Sequence, residues 1–120
     1  HDALPILNYC LQAADILAND GIDAEVVDLR TVYPLDKATI IERSQRTGKV
    51  LLVTEDNLEG SIMSEVSAII AENCLFDLDA PIMRLAAPDV PSMPFSPTLE
   101  NEIMMNPEKI QDKMRELAQF

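Results

Sequence analysis

Apolar positions along this chain switch between helical and strand-like spacing. Leu7, Cys10, Leu11, Ala14, Leu17 and Ala18 recur at three- and four-residue intervals, which predicts one stripe of an amphipathic helix. Pro5 suits the first turn of that helix, where its missing N–H costs nothing. Gly21 follows as a left-handed stop. "DAEVVDL", Asp23 to Leu29, is β-rich and partly alternating, so it predicts a strand. "PLDKATIIERSQRTG" returns to helical spacing, with Asp36 as N-cap and Gly48 at its end. "KVLLVT", Lys49 to Thr54, is a nearly continuous apolar run of strand length. Runs of that kind fit strands buried on both faces, as in parallel sheets. "EDNLEG" reads as a polar loop. From Ser61 a third helix turns Ile62, Val66, Ile69 and Ile70 inward, and "PIMRLAA", Pro81 to Ala87, predicts a third short strand.

The next stretch, "PDVPSMPFSP", carries four prolines and suits neither a helix nor a central strand. It is expected to cross the surface as an irregular connection. "TLENEIMM" predicts a short helix opened by Thr98. "NPEKIQDKMRELAQF" then places Asn106 as cap and Pro107 at the first helical position, with Ile110, Met114 and Leu117 along one side. Alternating helices and strands predict an α/β domain with a mostly parallel sheet flanked by helices. The pattern opens on a helix and offers three strands, a thin sheet. A first strand is therefore expected ahead of Pro5. Residues 1–120 are expected to form a single domain that is a fragment of a longer subunit.

Composition supports a real core. Hydrophobic residues make up 48% and charged residues 25%, close to the soluble globular average. No apolar run approaches the ~18 residues of a membrane span. The opening lacks the basic region of a secretory signal, so a cytoplasmic protein is expected. The net charge of −12 argues against nucleic acid and against anionic lipid. A basic protein partner, or solubility alone, fits better. Cys10 and Cys74 are far apart and fall on apolar faces, where a thiol behaves as a small hydrophobe. A disulfide framework is not expected.

Candidate chemistry is sparse. There is no glycine-rich phosphate loop, and the chain has three glycines in all. Gly60 and Ser61 stand where free N–H groups at a helix start could meet an anion. The plainer reading has Ser61 capping that helix, with Ser64 and Glu65 in its first turn. Glu55 and Asp56 follow the "KVLLVT" strand, at the sheet edge where ligands of α/β proteins bind. They could hold Mg²⁺ or serve as acid and base, but neighbouring residues point in different directions and no partner carboxylate is identifiable. His1 is the one histidine, so a Ser–His or Cys–His nucleophile and a zinc site are not expected. Asp28 and Arg30, two apart, read as a structural pair. The six methionines read as packing or interface material. On the residues alone this is a domain without an active site of its own.

Five stretches in order carry a family resemblance: "GIDAEVVDLRTVYPLDKATI", "GKVLLVTEDNLEG", "SEVSAIIAE", "LDAPIMRLAAPDVPSMPFSPTLE" and "EKIQDKMRELAQF". Together they resemble the C-terminal domain of the β subunit of thiamine-diphosphate-dependent 2-oxo acid dehydrogenases, the E1 components acting on pyruvate, branched-chain 2-oxo acids or acetoin. The resemblance covers essentially the whole chain. It implies a transketolase C-terminal-domain-like fold of about five strands, lacking its first strand here. It implies a full enzyme that oxidatively decarboxylates a 2-oxo acid on thiamine diphosphate with Mg²⁺ and acylates the lipoyl groups of E2. Both cofactors would bind outside these residues, so no catalytic, cofactor-binding or metal residue is expected within them. The isolated chain is expected to be inactive.

The partners implied are an E1 α subunit, a second E1 β subunit and the subunit-binding domain of E2. Asp89 and Phe120 are the positions carried over for E2 docking. The chain departs from the family at Thr54, where many relatives have His, and at Ser61, Ile62 and Met63, where they carry a second glycine and smaller residues. Two other readings stand beside this one. One is a stand-alone α/β anion-binding or regulatory module using Gly60 and Ser61. The other is the same domain of a transketolase, a deoxyxylulose-phosphate synthase or an oxoacid:ferredoxin oxidoreductase.

Overall fold

The computed structural model describes residues 3–29, 35–57, 62–87 and 105–120. Its elements run α1 (Ala3–Asn19), α2 (Lys37–Thr47), β1 (Leu51–Asn57), α3 (Ile62–Cys74), a single 3-10 turn (Leu75–Asp77), β2 (Met83–Ala87) and α4 (Pro107–Ala118). Helix ends follow the local chemistry. Asp36 caps α2, accepting from the Thr39 backbone N–H at 3.1 Å and from its hydroxyl at 2.7 Å. Asn106 caps α4 by accepting from the Lys109 N–H at 2.8 Å, with Pro107 in the first turn. Gly21, at φ 84°, closes α1. The N–H of Ile22 bonds the Leu17 carbonyl at 2.9 Å and that of Gly21 the Ala18 carbonyl at 3.1 Å, the paired bonds that satisfy the last carbonyls of a helix.

β1 and β2 pair in parallel, with Leu51 opposite Met83, Leu52 opposite Arg84 and Val53 opposite Leu85. Side chains alternate across the pleat, and both faces of β1 are covered. Val50 and Leu52 pack against Ile40 of α2 and Val66, Ile69, Ile70 and Cys74 of α3. Leu51 and Val53 pack on the opposite side, against Ala13 of α1, Ile110 of α4 and Met105 just ahead of α4. The sheet is thus the middle of three layers, with α2 and α3 on one face and α1 and α4 on the other. This explains the continuous apolar run "KVLLVT": a strand covered twice has no polar face.

Several expectations need correction. The predicted strand at Asp23–Leu29 is not in a ladder among the described residues. Its alternation is real: Ile22, Ala24 and Val26 are half-buried, and Asp23, Glu25 and Val27 are exposed. What it lacks is a paired neighbour. The expected polar loop after Thr54 begins late, because β1 runs on to Asn57. Val53 pairs with Leu85 and Asn57 with Ala87, so four residues of β1 advance against two of β2, and the register shifts there. In α1 the inward stripe is Ile6, Cys10, Ala13 and Leu17. Leu11 is 45% exposed, and Ala18 is exposed too. This helix is apolar on more than one side, so periodicity alone could not choose the face. Small Ala13, fully buried, sits where α1 meets α4. The short helix expected from Thr98 and the proline-rich connection lie outside the described residues.

Candidate functional site

The polypeptide end of the last helix is held by a single lysine. Lys49, immediately ahead of β1, donates from Nζ to the Ala118 backbone oxygen at 3.2 Å and to the Phe120 backbone oxygen at 2.7 Å. Those oxygens lie at the negative end of α4, where a cation is favoured. Phe120 itself is 59% exposed. Arg115 of α4 makes an ion pair with Asp20, just past the end of α1. Two charge contacts therefore fix α4, one to the sheet and one to the neighbouring helix.

A second cluster ties residues 22–29 to α2. The Glu25 carboxylate accepts from Arg43 at 2.5 Å and from Arg46 at 2.6 Å, and Glu42 lies 3.1 Å from Arg43 and 3.7 Å from Arg46. The hydrogen bond from Arg46, joined by the positive charge of Arg43, holds the Glu25 carboxyl below the usual carboxylate range. The same contacts push the Arg46 guanidinium up. Asp36 is also lowered, first by the Thr39 hydroxyl and then by its N–H. Cys10 and Cys74 are both free thiols whose pKa is raised by burial, Cys74 further by the charge of Asp77. Neither is primed as a nucleophile, since the reactive form is the thiolate.

Between residues 22–29 and β1 lies a cavity of about 620 Å³. Residues 49–54 and 22–29 line it along two sides. Ile6, Cys10 and Met114 close it from the α1 and α4 layer, and Ile40, Val66 and Ile70 from the α2 and α3 layer. The cavity therefore lies within the sheet layer itself.

The other expected positions separate. Glu55 and Asp56 fall in the last part of β1. Gly60, Ser61, Asp89 and Arg30 lie outside the described residues. Among the described residues no group of three His, Cys, Asp or Glu side chains could hold a metal ion. No described helix is long and apolar enough to cross a membrane. Lys49 and the cavity were missed in the sequence. Lys49 reads there as the polar start of a strand, and its partners are 69 and 71 residues away. The cavity had one visible signal, the thinness of the predicted sheet.

Parallel strands between two helical layers define a doubly wound α/β domain, with its described polar contacts placed to fix helices. The chain belongs to the transketolase C-terminal domain family, whose model matches residues 5–110. It is 67% identical over 114 residues to the 2-oxoisovalerate dehydrogenase subunit beta of Bacillus subtilis (strain 168), a match covering 95% of this chain and 35% of that protein. It is 42% identical over 115 residues to the pyruvate dehydrogenase E1 component subunit beta of the same organism, covering 96% and 35%. A solved split-gene transketolase, described as an inactive β4 tetramer, superimposes with a TM-score of 0.78 at 22% identity, covering 92% of this chain and 35% of that one. That last likeness establishes the fold. The chain spans about a third of the length of the relatives it matches.

Proposed function

We propose that this chain is the C-terminal assembly and docking domain of the β subunit of a 2-oxo acid dehydrogenase E1, of the branched-chain type. One observation carries the reading: identity of 67% to the 2-oxoisovalerate relative, against 42% to the pyruvate and 39% to the acetoin relatives of the same bacterium. In this reading the chain is one part of a longer cytoplasmic subunit. The whole enzyme decarboxylates a branched-chain 2-oxo acid and passes the acyl group to E2. Thiamine diphosphate and Mg²⁺ supply the carbanion chemistry, and they are held by parts of the enzyme outside these residues. This domain packs against an α subunit and a second β subunit and presents a docking surface to E2.

Charge supports the last role. With 21 acidic and 9 basic residues, the surface favours a basic partner. Asp89 and Phe120 remain the proposed contacts. The bond from Lys49 to the Phe120 backbone oxygen offsets negative charge there. It makes the exposed phenylalanine ring the more useful anchor at that position.

The test is a graft. Residues 3–120 replace the matching part of the B. subtilis 2-oxoisovalerate dehydrogenase β subunit, co-produced with its α subunit. The expected result is a heteromeric enzyme that decarboxylates 2-oxoisovalerate in preference to pyruvate, with no turnover by the isolated chain. A folded graft that neither assembles nor turns over 2-oxoisovalerate would overturn the assignment. Turnover by the isolated chain would overturn the assembly-only role.

A further inference from the structure

The first helix carries two apolar stripes. Leu7, Leu11, Ala14 and Ala18 each follow a member of the inward stripe by one residue, so they form a second stripe turned by about 100° around the helix. None of the four joins the cluster that α1 builds with α4, while Tyr9, on the other flank, does. α4 therefore covers one side of α1 and leaves the second stripe on the other. Leu7 and Ala14 are half-buried, Ala18 is exposed and Leu11 is 45% exposed. Leu7 also borders the sheet cavity, so the open part of the stripe runs from Leu11 to Ala18. α1 has a single charged residue, Asp15, in 17, whereas α4 has six in 12. A helix with so little charge on its outer side is suited to being covered.

The spacing of the stripe identifies what covers it. Steps of four, three and four residues are those of a seam between two paired helices. In an antiparallel pair of α1 helices, related by a twofold axis between Gln12 and Ala13, Leu11 faces the partner's Ala14 and Leu7 faces the partner's Ala18. Large meets small in every layer, and each contact occurs twice, as a self-complementary interface requires. A parallel pair would stack Leu on Leu and Ala on Ala, overfilling some layers and emptying others. Charge selects the same arrangement. At a net −12, two copies repel over most of their surfaces. The flank of α1 is where they can meet without opposed carboxylates. Asp15, beside the seam, comes next to the partner's Asn8, so the two Asp15 side chains stay apart.

We propose that this flank of α1 is an interface between two copies of the chain, an antiparallel α1–α1 pair with Leu11 seated on the partner's Ala14. Small Ala14 and Ala18 let the helix axes approach to about 8 Å. The seam is about three turns long, below the size of a standard stable interface, so the isolated chain pairs weakly and reversibly. The pairing rests on the reading of this chain as part of a β subunit that meets a second copy, and it names the helix through which the two meet. It makes no use of the reaction or of E2.

The test is sedimentation equilibrium of the full chain up to a concentration of about 1 mM, where a reversible dimer is expected. Leu11→Ala and Ala14→Leu should each weaken pairing at least about tenfold, the first by emptying two layers of the seam and the second by crowding them. The double variant exchanges the two residues, so leucine again faces alanine. It should return the dissociation constant to within about threefold of the parent chain. A chain that stays monomeric at the highest concentration would overturn the proposal. So would a dimer indifferent to the single changes, or a double variant in which the two losses add, since the register would then be wrong. If Ala14→Leu does not fold, Ala18→Lys, at an exposed position facing the partner's Leu7, takes its place. Pairing at least about tenfold weaker is expected from it, and unchanged pairing overturns the interface. None of these measurements involves the α subunit, so they fail or succeed separately from the graft.

Discussion

The two edges of β1 have opposite fates. One is paired with β2 from Leu51 onward and sealed by α3, which crosses from one strand to the other. The other faces an apolar cavity and a segment, residues 22–29, that has the alternation of a strand without its ladder. Composition does not separate them, since "DAEVVDL" and "PIMRLAA" are comparably β-prone. Pairing does. A strand is stabilised by its neighbours, and only one edge has a neighbour among the described residues.

The largest effects should therefore fall on the sealed side. Ile70, on α3, is 1% exposed, and Ile70→Ala should cost about 3–4 kcal/mol in urea unfolding. Val27, on the open side, is 41% exposed, and Val27→Ala should stay within about 0.5 kcal/mol. Equal losses would mean that residues 22–29 pack as firmly as α3 and that the two edges do not differ.

The glycines sharpen the same contrast. Gly48, at φ 74°, ends α2 and abuts the turn before β2, where the Asp79 N–H bonds its carbonyl at 2.7 Å. A Cβ there would collide with the Asp79 carboxylate and stand 3.2 Å from the Asp77 carbonyl. Gly21, at φ 84°, has open space where its Cβ would lie. Gly21→Ala should cost only the left-handed backbone strain, about 1 kcal/mol. Gly48→Ala adds the collision and should reach about 3 kcal/mol. If the two match, the Asp79 side chain swings clear and the turn is looser than its contacts imply.

How far the sequence reads ahead of the structure follows from range. Asp36, Asn106, Gly21 and Gly48 act within a few residues of themselves, and each stands where local pattern placed it. So do the α3 and α4 faces, where apolar residues form a single stripe. The α1 face was misjudged because Leu11 and Ile16, exposed in the structure, are as apolar as the residues that pack inward. The strand at 23–29 was misjudged because its alternation is local and its partner is not. Of the site, the packing of Cys10 and Cys74 followed from their apolar settings. Lys49 did not, because its bonds reach across most of the chain.

Lys49 gives an intermediate effect. Lys49→Met keeps the stem and removes the donor, leaving the last carbonyls of α4 to water. A loss of about 1 kcal/mol is expected, with faster amide exchange confined to the final turn of α4. If exchange rises across the whole helix instead, the lysine anchors α4 to the sheet and is more than a cap.

The smallest effect tests whether the open side is held by charge. Glu25 ties residues 22–29 to α2, through Arg46 first and Arg43 second, and its carboxyl sits below the ordinary range. A carboxylate lowered in the folded state takes up its proton in the unfolded state first. Its contribution is present above the unfolded pKa and is lost as pH falls through the folded one. The unfolding midpoint should thus begin to drop as pH falls below about 4. Glu25→Gln should flatten that acid slope slightly, by the same small amount of stability it removes at pH 7, because an exposed pair is screened by solvent. Asp36, lowered chiefly by the Thr39 hydroxyl, contributes to the same slope from the sealed side. Asp36→Asn keeps an acceptor for the Thr39 N–H and should flatten it too. If only Asp36→Asn does so, Glu25 does not hold its arginines in solution.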